Sequence, residues 1–263
     1  MIIIGERING MFRAVRDALA KGDKAAIHKL AKGQMESGAN YLDVNIGPAS
    51  AEPLQAMEWL VTTIREVTDA PLALDSPKPE VIEAGLKLAG SKAMINSTDA
   101  SGAKLASLMP LAAKYGVPII GLTMSEKGIP GDAAGRAEMA MQIVASAMEH
   151  GVPTDQIFLD PLILPANVTQ QTCLEVLEAI RQCKLLCDPP PKTVLGLSNV
   201  SQGAKYRELI NRTYLVMAIS AGLDAAIADP FDKELMDAMI TAEMLLNKTI
   251  YCDDFLKAYY QRA

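Results

Sequence analysis

The chain has 263 residues, half of them hydrophobic and 21% charged, with 25 Lys plus Arg against 31 Asp plus Glu and a formal charge of -6. It has no run of five or more basic residues, which speaks against a nucleic-acid partner. It has no apolar stretch of about 20 residues that would span a membrane, and Met1 leads into strand-type residues rather than a signal peptide.

Taken in order, apolar segments of strand type alternate with stretches of helical spacing. Ile2 to Gly5 reads as a strand, Phe12 to Ala20 and Ala25 to Ser37 as helices, and Tyr41 to Asn45 as the second strand. Pro53 to Val67 is helical and Leu72 to Leu74 a strand. Pro77 and Pro79 then hold a loop before the helix Glu80 to Ala89. Ala93 to Asn96 is strand four, followed by a helix from Ser101 or Gly102 to Tyr115. Ile119 to Leu122 is strand five, then come a glycine-rich loop over Ser125 to Asp132 and a long helix from Ala133 to His150. Ile157 to Leu159 is strand six and Leu164 to Asn167 a loop. A helix then runs from Thr169 or Gln170 to about Leu186, before the rigid prolines at 189 to 191. Strand seven opens at Thr193, Tyr206 to Ala221 is helical, and Ala225 to Ala228 is strand eight. Glu234 to Asn247 and Asp253 to Tyr260 are the last two helices.

Eight strand-then-helix units with no gap for a second domain fit a single α/β domain, a (β/α)8 TIM barrel over residues 1–263. An open doubly wound sheet is the alternative. It would favour a glycine fingerprint after strand one, which Gly5-Glu6-Arg7-Ile8-Asn9-Gly10 lacks.

Nearly every strand closes on a polar residue. In a barrel those ends share one opening, so the rim would hold Glu6, Asn9, Asp43, Asn45, Asp75, Asn96, Thr123, Asp160, Asn167, Ser198, Asn199, Gln202 and Asp229. Some of these could simply cap helices or close turns, Asp43 and Asp229 above all. No strand ends on lysine, which argues against Schiff-base chemistry. His28 and His150 both fall in helical stretches. Cys183 and Cys187 lie one turn apart but make an incomplete metal site, and no metal is expected. Cys173, Cys183, Cys187 and Cys252 are sparse and irregular, as in a cytoplasmic chain with reduced thiols. Carboxylates that accept from ring N–H groups, beside amides that donate and accept, suit a planar nitrogen-rich heterocycle.

The segments MIIIGERING (1–10), YLDVNIGPA (41–49), AMINST (93–98), IGLTM (120–124), DPLILPANV (160–168), KTVLGLSNVSQ (192–202), INRTYL (210–215) and GLDAAIAD (222–229) carry a resemblance that runs from end to end. The chain resembles the methyltetrahydrofolate–corrinoid/iron-sulfur protein methyltransferases. These sit within the pterin-binding barrel group that includes the folate module of cobalamin-dependent methionine synthase. The resemblance implies a pterin-binding TIM barrel in which Asp75, Asn96 and Asp160 grip the pterin ring. Asn199 would reach its methyl-bearing nitrogen, so that Asn199 and Asp160 form the catalytic pair. Gly196 and Ser198 would complete that wall, with Gln202 and Arg207 near the corrinoid or the folate tail. One departure is Ser76-Pro77-Lys78, where family members carry Ser-Thr-Asn. Tetrahydrofolate or methyltetrahydrofolate would be the substrate. The cobalamin-ligating Asp-x-His-x-x-Gly segment is absent, so the corrinoid is expected on a separate partner protein. A homodimer through side helices is also implied. The resemblance leaves open the direction of methyl transfer. It also leaves two rivals, a condensing enzyme similar to dihydropteroate synthase and a non-catalytic folate binder.

Overall fold

The computed structural model describes residues 1–47, 52–249 and 251. In chain order its elements are β1 (Ile2–Asn9), α1 (Arg13–Lys21), α2 (Lys24–Glu36), β2 (Tyr41–Asn45), α3 (Pro53–Arg65), β3 (Leu72–Asp75) and α4 (Pro79–Ala89). They continue with β4 (Ala93–Asp99), α5 (Gly102–Tyr115), β5 (Ile119–Leu122), α6 (Ala133–Glu149), β6 (Ile157–Asp160), α7 (Ala166–Thr169) and α8 (Thr172–Cys183). The last are β7 (Lys192–Gly196), α9 (Arg207–Ala221), β8 (Ala225–Ala228) and α10 (Lys233–Leu245). The eight strands pair in parallel and in sequence order, and β8 closes on β1, so the sheet is a closed barrel rather than an open one.

Two differences from the expected elements are informative. The stretch after β6 holds a helical turn, α7, where a loop was expected, and α8 begins only at Thr172 and ends at Cys183. β1 and β4 run well past Gly5 and Asn96, where the apolar pattern stops. The helix expected over Asp253 to Tyr260 lies outside the described residues.

Strand alternation sorts the apolar residues into two environments. Ile4, Ala73, Met94, Ile120, Phe158, Val194 and Ala225, one from each strand but β2, form an interior cluster. Neighbours of opposite parity, such as Ile3, Leu72, Ile95, Ile119, Ile157 and Leu195, join the larger clusters between sheet and helices. The interior is therefore a packed floor, not a pore.

Both long strands carry a bulge. In β1 the register shifts between Gly5 and Ile8, and Ile4 and Ile8, although of equal parity, pack on opposite faces of the sheet. An extra residue has been inserted. The bulge is backed by Gln34 of α2, fully buried, whose Oε1 accepts from the Arg7 backbone N–H at 2.9 Å. A Cβ on Gly5 would lie 2.5 Å from that same oxygen, so the glycine is what lets Gln34 approach. In β4 the register shifts between Asn96 and Thr98, leaving Ser97 as the extra residue.

A Gln34→Leu substitution keeps the volume but leaves the Arg7 N–H buried without an acceptor. Urea unfolding should show a loss of about 1–3 kcal/mol; an unchanged midpoint would mean that the bulge does not depend on Gln34.

Candidate functional site

Two residues beyond the interior cluster each strand faces inward again, and on most strands the residue there is polar. Ala73 is followed by Asp75, Met94 by Asn96, Phe158 by Asp160 and Val194 by Gly196. Likewise Tyr41 precedes Asp43, and Ile4 precedes Glu6. Only β5 and β8 repeat an apolar residue, Leu122 and Ile227. The polar positions thus follow the apolar interior on most strands, and the register sets Asn45 beside Asp75 and Asp75 beside Asn96.

Asp43 and Asp75 come from neighbouring strands. Asp43 is buried and accepts from Asn96 Nδ2 at 3.0 Å. Asp75 accepts from Asn45 Nδ2 at 2.6 Å, and Asn45 Oδ1 accepts from the Gly47 N–H at 2.6 Å. Burial, then the nearby Asp75 charge, pushes the Asp43 carboxyl well above the usual range, against the Asn96 hydrogen bond. Burial raises Asp75 to about 6 despite the donation from Asn45. Across the opening, Asp160 is buried and accepts only backbone N–H groups, from Leu162 at 2.8 Å and from Gly196 at 3.3 Å. Its pKa is pushed up from 3.8 to about 6, again chiefly by burial.

Gly196 links Asp160 to Asn199. The chain turns at Leu197–Ser201 in a 3₁₀ turn, and the Asn199 amide folds back over Gly196, where a Cβ would lie 2.9 Å from Nδ2. Asn199 is exposed, and its side chain makes no hydrogen bond to a described residue. Gln202 and Asn167 are exposed farther out. Arg207 grips the turn itself, donating to the Ser198 carbonyl and to Ser201 Oγ, both at 3.1 Å.

A second part of the rim lies over β1, β7 and β8. Glu6, Arg7, Asn9, Ser198, Arg207, Asn211 and Asp229 help to line a cavity of 530 Å³. Arg7 pairs with Asp229 at 3.2 Å and lies 4.4 Å over the Phe12 ring. Both Glu6 oxygens accept from Ser198 Oγ at 2.8 Å. Burial raises the Glu6 pKa, the Ser198 hydroxyl opposes that, and Asp229 adds to it.

Capping does not account for this layer. Helix capping occupies Asp23, Asp132 and Asp232, which accept from Ala26, Gly135 and Leu235. Asp43 caps nothing, whereas Asp229 does close a turn by accepting from the Phe231 N–H at 3.0 Å. Thr123 stands apart, fully buried with its hydroxyl unpaired. Both histidines are engaged on outer helices, His28 with Glu66 at 3.1 Å and His150 with the Ser146 carbonyl at 2.8 Å. Cys183 is buried, with its thiol pushed up to about 12. Among the described residues no group of three His, Cys, Asp or Glu is placed to hold a metal, and no helix is long and apolar enough to cross a membrane.

Residues 5–229 match the family model of the pterin binding enzymes. The chain belongs to the pterin-binding enzymes. Over 266 aligned positions this pterin-binding chain is 30% identical to the methylcorrinoid:tetrahydrofolate methyltransferase of Eubacterium limosum, covering 99% of this chain and 97% of that protein. It is also 30% identical to methionine synthase of Mycobacterium tuberculosis across 86% of this chain, which amounts to 20% of that longer protein. Among solved structures, dihydropteroate synthase from Xanthomonas albilineans with 4-aminobenzoic acid superposes at a TM-score of 0.70. It is 19% identical and covers 94% of this chain and 92% of that one. The Yersinia pestis enzyme does so at 0.68, with 16% identity and 94% of each chain. These structures share the barrel. Asp43 and Asn45, which the sequence placed on the rim without a role, touch the pterin-binding candidates Asn96 and Asp75, and Glu6 touches Ser198.

Asp160 holds its proton in the folded protein up to about pH 6, whereas an unfolded aspartate has lost it near 4. Its charge therefore removes stability as pH rises through that window. Asp160→Asn should gain on the native protein between pH 4.5 and pH 8, by about 1–3 kcal/mol in urea unfolding. A difference that does not change with pH would contradict the assignment.

Proposed function

We propose that this enzyme transfers a methyl group between methyltetrahydrofolate and the cobalt of a corrinoid carried on a separate protein. The observation that carries the reading is the polar layer itself. Among the described residues, buried carboxylates with no salt bridge face inward beside the Asn199 amide, which no described residue uses. The near full-length match to a methylcorrinoid:tetrahydrofolate methyltransferase supports the same reaction class.

In this reading Asp75, Asn96 and Asp160 hold the pterin by its amino and ring N–H groups. A carboxylate buried without a cation is costly, and a ligand N–H offsets part of that cost. Gly196 leaves the pocket wall flat, and Asn199 donates to the methyl-bearing nitrogen. A tertiary amine is a poor leaving group. As the methyl departs, the nitrogen keeps the electron pair, and an amide N–H placed there binds it more strongly in the transition state than in the ground state. Cobalt(I) of the partner's corrinoid would be the nucleophile that takes the methyl as the N–CH3 bond breaks, and a proton from solvent would complete the N–H of tetrahydrofolate. The two histidines lie away from the barrel opening, so this chain offers no imidazole there to a corrinoid, in keeping with a corrinoid held by a partner.

The same transition state serves both directions. The name of the Eubacterium limosum relative writes the methylcorrinoid as donor, which favours tetrahydrofolate as the physiological acceptor as a second reading. The homodimer and the cytoplasmic location belong to this proposal too. Leu174, Leu209 and Met217, exposed on α8 and α9, support association through the side of the barrel.

Mixing the protein with methyltetrahydrofolate and chemically reduced cobalamin should convert the cobalt(I) spectrum into that of methylcobalt. Asn199→Ala should slow this about 100-fold while methyltetrahydrofolate affinity stays within a few-fold. Equal losses of rate and affinity would place Asn199 in binding, and no methylcobalt with the native protein would remove the reaction class.

A further inference from the structure

The Asn199 side chain makes no hydrogen bond to a described residue, so the direction of its amide is inherited from the backbone of the turn after β7. That backbone is held at Ser198, the residue before it, from two sides. On the main-chain side the Ser198 carbonyl accepts from Ser201 Oγ at 3.3 Å and from Arg207 Nη2 at 3.1 Å, which ties the turn to α9. On the side-chain side Ser198 Oγ reaches across the barrel mouth to Glu6 of β1, 2.8 Å from each carboxylate oxygen. The two residues are 192 apart in the chain.

Glu6 is itself placed with some care. It follows Gly5 in the β1 bulge, whose backbone is pinned by buried Gln34 through the Arg7 N–H. Arg7 pairs with Asp229, and its charge and that of Arg207 oppose the upward push of burial on Glu6 only in part. A carboxylate kept there without a strong cation costs more than an amide would. What it gains is two equivalent acceptors for one hydroxyl, and so a bond that survives small movements of the turn.

We propose that Glu6 is the positioning residue for Asn199, fixing the turn through Ser198 so that the Asn199 amide points at the methyl-bearing pterin nitrogen. The proposal rests on the role given to Asn199 above. It requires that loss of Glu6 misdirect the donor without emptying the pterin pocket, because Asp75, Asn96 and Asp160 are held by other strands and other bonds.

The test is single-turnover methyl transfer from methyltetrahydrofolate to reduced cobalamin, with affinity measured by calorimetry. The variants are Glu6→Ala, Glu6→Gln, Ser198→Ala, Asn199→Ala and the double variant Glu6→Ala/Asn199→Ala. Glu6→Ala and Ser198→Ala should each slow transfer about 10- to 100-fold, the scale on which small misplacements act. Affinity should change less than about threefold, Glu6→Gln should recover most of the rate, and the double variant should be no slower than Asn199→Ala alone. Independent, multiplying effects of Glu6→Ala and Asn199→Ala would overturn the proposal while leaving Asn199 its role. So would a loss confined to affinity. If Asn199→Ala alone costs no rate, the Asn199 reading fails first and this one with it. Should Glu6→Ala not fold, Ser198→Ala, which removes the same bond from its other end, decides the matter.

Discussion

The constraint on which this protein depends is steric and lies below the site. Seven apolar side chains, from Ile4 to Ala225, fill the barrel interior and fix which parity of their strands faces inward. Because the side-chain period of a strand is two, the next inward position on each strand is then determined. Asp43, Asp75, Asn96, Asp160 and Glu6 occupy it. The polar positions inherit their geometry from the apolar interior, and a one-residue slip of β1, β2, β3 or β6 would replace an acid with its outward-facing neighbour.

That layer is electrostatically unusual for its depth. Asp43, Asp75, Asp160 and Glu6 are all shifted upward, with burial the leading cause in each case. Their partners are amides, a hydroxyl and backbone N–H groups. Cations pair with acids elsewhere, as in Lys114 with Glu83 on the outside and Arg7 with Asp229 at the edge of the mouth. Such an arrangement spends stability on acceptors that an N–H-rich ring can satisfy. It belongs with the common tendency of perturbed carboxylates to gather at functional sites.

The barrel was legible because each strand is a short apolar run closed by a polar residue, and helical spacing fills the intervals. The same rule misled at β1 and β4. Reading stopped at Gly5 and Asn96 because alternation fails there, yet the failure is the bulge and pairing resumes beyond it at Ile8 and Thr98. Asp75, Asn96 and Asp160 could be placed from strand ends alone. The Glu6–Ser198 bond could not, since it joins β1 to the turn after β7 and depends on closure of the whole sheet. Nor did any local pattern separate Asp43, which meets Asn96, from an ordinary turn aspartate such as Asp229. α7 was missed for a local reason: Pro165 starts a single turn too short to show helical periodicity.

The central claim is that one barrel interior brings side chains from β3, β4, β6 and the turn after β7 onto one flat ligand. A crystal structure of the methyltetrahydrofolate complex tests it most directly. The account predicts the pterin lying on the layer above the apolar floor, with Asp75, Asn96 and Asp160 within hydrogen-bond distance of its edge and the Asn199 amide at the methylated nitrogen. A pterin bound elsewhere, or one that leaves Asp160 and Asn199 facing different cavities, would contradict it.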